Sequence, residues 1–288
     1  MRTERTLIIE LHNLTLGKVI KLTDKTMLKL LTVTGLGSAE YELDMRDNAL
    51  LDGSTVAGAK VEAREIVMQA ELYDYKLSPQ NRETLLHMFS PRHEYMLCVR
   101  RESVRRRIRA RARLFNIDPE NIYDFYTANI ELVCPDPFFE DESDTTLQFR
   151  LFEPLINFPL IFIPQGAGLT TAIQIVTDSI TVNNDGDADF GIEFTAEVVG
   201  GNIVNPAVWC GDNYVRVLTT LHIGDTLKID TRRGRKGIWL NGVKFMQYDP
   251  TSTWFTLKPG ANQVSFKADS GAEKAIGSIT YSNRWFGV

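Results

Sequence analysis

The dipeptide Asn241-Gly242 constrains this chain more than any other feature. It lies between Gly237-Ile238-Trp239-Leu240 and Val243. Both central residues of a type I′ turn need positive φ, which asparagine and glycine tolerate. Two strands must therefore turn back on each other here. With Ile229-Asp230-Thr231 upstream, the region reads as three short strands joined by tight turns, which makes the second half antiparallel β structure.

A chain of 288 residues is long enough for about two domains at about 100–200 residues each. Hydrophobic residues at 43% and charged residues at 24% are ordinary for a globular protein and speak against disorder. No apolar run approaches the roughly 18 residues of a spanning helix; the longest, Leu155 to Pro164, is broken by Asn157, Pro159 and Pro164. No membrane partner is expected. The charged start, Met1-Arg2-Thr3-Glu4-Arg5-Thr6, argues against a secretory signal. Cys98, Cys134 and Cys210 lie far apart without zinc-ligand spacing, so they read as three buried thiols of a protein made in a reducing cytoplasm.

A composition break falls at Cys134-Pro135-Asp136-Pro137-Phe138-Phe139 and the acidic run Glu140-Asp141-Glu142-Ser143-Asp144. Two prolines one residue apart cannot sit in a helix or a central strand, which places a boundary between domains 1–145 and 146–288. Before it, extended segments are predicted at 7–12, 27–33, 62–75, 94–101, 105–116 and 125–133. One helix is predicted there, with Ser78 as N-cap, Pro79 at the first helical position and a stop at Ser90-Pro91. After it, apolar-polar alternation recurs at 171–182, 190–199, 215–218, 226–229, 237–240, 243–248, 260–267 and 278–285. Many short strands with turns between them argue for a two-sheet sandwich. The fold class is mainly β.

No catalytic constellation stands out. His12, His87, His93 and His222 are scattered without metal spacing, and no nucleophile elbow or phosphate loop is present. Neither a cofactor nor a metal is expected. Asp185-Gly186-Asp187-Ala188-Asp189 alternates carboxylates, but an EF-hand counted from Asp185 puts Phe190 where glycine is required and Ala196 where the bidentate glutamate belongs. An Asx turn in a solvated hairpin explains it.

From Arg105 the chain runs Arg-Arg-Arg-Ile-Arg-Ala-Arg-Ala-Arg-Leu. A period of two puts Arg107, Arg109, Arg111 and Arg113 on one face, with Ile108, Ala110, Ala112 and Leu114 on the other. A nucleic-acid ribbon would be basic in this way, but the segment lacks interleaved aromatics and the whole chain carries a formal charge of −5. A solvated face, or a contact between copies in which carboxylates of a neighbour pair with these arginines, fits better than direct nucleic-acid binding. Trp209, Trp239, Trp254 and Trp285 all fall in the second half. Packing of Trp239 and Trp285 between two sheets is expected over a sugar-stacking platform.

Five stretches resemble the siphovirus distal tail protein (Dit) family of phage tail tips and baseplates. They are Cys134 to Phe139, Val182 to Ala188, Ile229 to Gly242, Phe255 to Asn262, and Tyr281-Ser282-Asn283-Arg284-Trp285. The resemblance implies an N-terminal β-barrel-like domain with one helix that forms a ring, and a C-terminal galectin-like antiparallel β-sandwich. It implies a homo-hexameric hub in the virion, made in the host bacterial cytoplasm. That hub would join the tail tube protein to the tail tip or tail-associated protein and to receptor-binding proteins. It implies a structural protein without enzymatic activity. Asp189-Phe190-Gly191 departs from the family, whose members often carry proline after the Gly-Asp turn, and the arginine run is denser than the family leads one to expect. The competing readings are a carbohydrate-binding sandwich acting in host recognition, and a glycoside hydrolase using a carboxylate pair that sequence separation alone does not reveal.

Overall fold

The computed structural model of the protein describes residues 7–22, 28–48, 52–72, 79–117, 126–154, 172–176 and 179–288. The chain forms two compact units: unit 1 is Met1–Glu142 with Arg284–Val288, and unit 2 is Ser143–Asn283. The division falls at the acidic run after the two prolines. The last five residues return to unit 1, which a split into 1–145 and 146–288 does not anticipate.

Unit 1 contains β1 (Leu7–Asn13), β2 (Lys18–Leu22), β3 (Leu28–Thr34), β4 (Tyr41–Asp47), β5 (Ser54–Val61), β6 (Arg64–Leu72), α1 (Pro79–Met88), β7 (Tyr95–Arg101), β8 (Val104–Asn116), β9 (Thr127–Cys134) and β10 (Phe139–Asp141). Seven strands in the order β8-β7-β1-β2-β3-β6-β9, with β9 paired back to β8, close into a barrel. The period of two decides what fills it. Ile66, Met68, Ala70 and Leu72 of β6 and Ala128, Ile130, Leu132 and Cys134 of β9 are all buried, while residues between them face outward. Closure depends on the length of β8. Its first half pairs with β7 and its second half with β9. Helix α1 packs Leu85 and Met88 on this core, and Phe89, just after it, joins them. Its end is held by the Tyr95 hydroxyl, which donates to Met88 O at 2.8 Å and Ser90 O at 2.9 Å, and by the Asn13 amide, which donates to Met88 O at 2.9 Å. The expected N-cap, Ser78, lies outside the described residues.

Unit 2 contains β11 (Thr145–Gln148), β12 (Arg150–Pro154), β13 (Ala172–Val176), β14 (Ser179–Asn184), β15 (Glu193–Val198), β16 (Ile203–Val204), β17 (Ala207–Cys210), β18 (Asn213–Arg216), β19 (Thr220–Leu221), β20 (Thr226–Asp230), β21 (Gly237–Leu240), β22 (Val243–Lys244), β23 (Gly260–Lys267) and β24 (Ala275–Tyr281). A six-stranded sheet, β11-β24-β15-β20-β21-β22, and a four-stranded sheet, β14-β23-β17-β18, form an antiparallel sandwich. One core joins them: Phe194, Ile229, Ile238 and Ile279 come from the first sheet, and Val182, Val208, Val215 and Val264 from the second. Asn241 (φ 51) and Gly242 (φ 79) occupy the turn between β21 and β22. The expected strand at 243–248 shrinks to Val243–Lys244. The expected strand at 278–285 is really two: β24 ends at Tyr281, and β25 (Arg284–Trp285) pairs with β10 in unit 1.

Two placements of the tryptophans differ from expectation. Trp239 is half-buried beside inward-facing Ile238, with the Lys228 ammonium 5.7 Å from its ring centre. It stands on the outward phase of β21, so it does not fill the sandwich. Trp285 packs against the core of unit 1, because the chain leaves unit 2 before reaching it.

Candidate functional site

Strand β8 carries the arginines singled out from sequence. Ile108, Ala110 and Ala112 are buried, and Arg109, Arg111 and Arg113 are exposed on the opposite face. The alternation ends in a bulge between Ala112 and Leu114. Leu114 is consequently 44% exposed, against expectation. Phe115 turns inward instead and stacks on Phe89, with ring centres 4.1 Å apart. The counter-charges belong to the same chain. Arg107 lies 3.4 Å from Glu140 and donates to Glu142 O, Arg111 donates to Glu94 at 2.7 Å, and Arg113 pairs with Glu65 and, at 3.9 Å, with Glu131. Arg109 shares their face. Half-exposed pairs of this kind contribute about 0–1 kcal/mol each, so they set the polarity of the surface more than its stability.

Sequence reasoning missed the most elaborate polar cluster of unit 1. Arg64 is 2% exposed and occupies the phase of β6 otherwise filled by Ile66, Met68 and Ala70. Its guanidinium donates to Pro137 O at 2.7 Å, to Gly35 O at 2.6 Å, and to Gly37 O and Phe286 O. The C-terminal segment completes the cluster. Val288 N donates to Leu36 O at 3.0 Å, Arg106 donates to Gly287 O and lies 4.2 Å from the Trp285 ring centre, and Trp285 Nε1 donates to Asp141 at 2.8 Å. Arg284 pairs with Asp136 and covers Phe138. Burial pulls the Arg64 pKa down, partly offset by Cys134 and Tyr41; the carbonyl cradle stands in for a carboxylate. The available signal was an arginine in phase with a buried apolar set.

The motifs of unit 2 are structural. Asp230 is 3% exposed and accepts from Arg232 Nε at 3.0 Å, while Thr231 Oγ1 accepts from Ile192 N at 2.9 Å. Burial lowers the Arg232 pKa, but Asp230 and Glu193 more than offset it. In the acidic turn, Gly186 N donates to Asn184 Oδ1 at 2.9 Å and the Asn184 amide reaches Ala188 O and Leu257 O. The Asx turn is present. It links the two sheets and closes no hairpin, because β14 pairs with β23 and β15 belongs to the other sheet.

Little here resembles a reactive centre. Burial raises the Cys98 and Cys210 thiols and pushes Cys134 up to about 12, which removes the thiolate a nucleophile needs. Among the described residues no group of three or more His, Cys, Asp or Glu could hold a metal ion. No helix among them is long and apolar enough to cross a membrane. Trp209 stands between Tyr214 of β18, ring centres 4.4 Å apart, and the Lys267 ammonium of β23 at 5.3 Å. A stacking sugar would need an open ring face, and neighbours on both adjoining strands compete for those of Trp209.

What the fold defines is a barrel and a sandwich in one chain. Residues 185–285 match the family described as the siphovirus-type tail component, C-terminal domain. The fold is similar to that of Dit (gp 19.1) from phage SPP1, described as a paradigm of hub adsorption apparatus in phages infecting Gram-positive bacteria. That match has a TM-score of 0.67 at 16% identity and covers 97% of this chain and 99% of that one. It is also similar to a chain of the phage p2 baseplate in its activated conformation with strontium, with a TM-score of 0.53 at 11% identity over 96% and 98% of the two chains. The calcium form gives 0.53 at 12% over the same shares. No curated protein sequence matches. Residues 185–285 thus match a siphovirus-type tail component, and the whole chain shares the fold of Dit.

Proposed function

We propose that this protein is the hub of a siphovirus-type tail tip, with six copies closing a ring through unit 1 and unit 2 carrying the peripheral contacts. The observation that carries this reading is the family match at residues 185–285 together with a fold likeness spanning 97% of the chain. The ring would sit between the tail tube protein and the tail tip or tail-associated protein, and the galectin-like sandwich would dock receptor-binding proteins. The protein is located in the virion tail after synthesis in the bacterial cytoplasm, and it works by shape and contact, not catalysis. Arg107, Arg109, Arg111 and Arg113 are candidates for contacts between copies. Because each already has a partner in its own chain or shares a face with those that do, their role would be to set register, with apolar burial driving association.

Native mass measurement of the full chain over a concentration series tests this. The expected result is a closed species of six that weakens modestly as salt rises. A different closed number, or an open-ended series, would contradict the hexamer. The full chain is the right material, since a fragment ending at residue 145 lacks β25.

A further inference from the structure

The chain holds a single Asn-Gly step, Asn241-Gly242, and that step is chemically unstable. The Gly242 amide nitrogen can attack the side-chain carbonyl carbon Cγ of Asn241; the Cγ–Nδ2 bond breaks, and ammonia leaves with the proton that the attacking nitrogen gives up. Water then opens the resulting cyclic imide at either carbonyl and leaves aspartate or isoaspartate. Glycine, without a Cβ, is the following residue that hinders the attack least. Both residues are exposed, so exclusion of water does not protect them.

The fold holds the side chain away from that attack. Asn241 (φ 51) and Gly242 (φ 79) form a tight turn with Leu240 opposite Val243, which fixes the backbone on both sides of the reacting bond. Three hydrogen bonds then tie Asn241 to the start of β20. Its N–H donates to Thr226 O at 2.9 Å, its Oδ1 accepts from Thr226 N at 2.8 Å, and its Nδ2 donates to Asp225 Oδ1 at 2.8 Å. Both ends of the side-chain amide are thus bonded to a segment other than the one that carries the attacking nitrogen, and Cγ cannot swing over that nitrogen until they let go. Asp225 is itself fixed, since its Oδ2 accepts from His222 N at 2.7 Å. The bond from Asn241, then that from His222, holds the Asp225 carboxyl below its usual range, so it stays ionised and has no proton to give to departing ammonia.

Neither product fits the place its precursor fills. An aspartate at this position would set a second carboxylate against Asp225 where a donor now stands, and like charges in contact repel. Isoaspartate would add a backbone atom to a turn whose length fixes the register of β21 on β22. The contact that selects asparagine here also keeps it asparagine.

We propose that Asn241 is a deamidation site that the fold keeps closed, with Asp225 as the positioning residue that closes it. The test follows conversion at Asn241 by peptide mass spectrometry in the full-length protein, incubated in mildly alkaline buffer either folded or unfolded in urea. Unfolded wild type should convert at least about tenfold faster than folded wild type. Folded Asp225→Ala, with an unchanged circular dichroism spectrum, should rise most of the way to the unfolded rate, while the other asparagines keep their wild-type rates. Asp225→Asn, which retains one oxygen acceptor, should fall between. Equal rates in folded and unfolded wild type would overturn the closed site, and a folded Asp225→Ala as slow as the wild type would overturn the role of Asp225. If Asp225→Ala does not fold, Asp225→Asn decides: conversion faster than in the wild type supports that role, and conversion at the wild-type rate overturns it.

Discussion

Replacing Arg64 by methionine keeps an unbranched apolar stem and removes the donors. Four carbonyls then lose the guanidinium: Pro137 O at 2.7 Å, Gly35 O at 2.6 Å, Gly37 O and Phe286 O. A buried acceptor left dry costs about 1–3 kcal/mol. Gly37 is exposed and Gly35 and Phe286 are half-buried, so water can replace the donor at all three, and removal of a buried charge relieves its own desolvation. Counting buried Pro137 alone, the expected loss is about 1–3 kcal/mol. At about 2–4 °C per kcal/mol for a unit of this size, the melting temperature of unit 1 should fall by roughly 2–12 °C. Hydrogen exchange read peptide by peptide locates the damage: protection should drop around 35–37, 137–141 and 284–288 and persist in β15, β20 and β24 of unit 2. Arg64→Lys, a single point donor that cannot reach four acceptors, should fall between the two. If Arg64→Met melted like the wild type with protection intact at 284–288, the view that this arginine ties the C-terminal segment into unit 1 would be wrong.

Trp239→Ala should cost only about 1 kcal/mol in chemical denaturation, because the ring is half-buried on the outward phase of β21, whereas Ile238→Ala beside it should cost about 2–5 kcal/mol; the reverse order would return Trp239 to the core. Burial raises the Tyr95 pKa from 10.0 to about 12, so the folded state favours the neutral phenol. Its contribution, about 3 kcal/mol, is present below pH 10 and is lost as pH rises from 10 towards 12. Tyr95→Phe should therefore unfold with a shallower alkaline slope and be about 1 kcal/mol weaker at neutral pH; an unchanged slope would refute the assignment.

What the sequence made legible was whatever repeats at short range. The Asn241-Gly242 turn, the alternation in β8 as far as Ala112 and the helix starting at Pro79 depend on neighbours in the chain, and local chemistry determines them. The short strands β2, β10 and β17 escaped because three to five residues leave little periodicity to read. Leu114 and Phe115 were assigned to the wrong faces because one bulge inverts every side chain after it. Trp285 was misplaced for a longer-range reason: its alternation with Tyr281 continues across the point at which the chain changes units, and only the pairing of β25 with β10 reveals the change. Arg64 and the β4–β5 pair could have been suspected, the one as a charge in an apolar phase and the other as Tyr41, Leu43 and Met45 alternating with charged residues. The acceptors of Arg64 lie more than twenty residues away, where no local pattern reaches.

The central claim is most directly tested by imaging tail particles that contain this protein, with a small tag inserted at the exposed turn Arg233-Gly234. The account predicts a closed ring at the distal end of the tail, with six tag densities around its outside. Tags along the tail shaft or at the head-proximal end, or a tip without a ring, would contradict it.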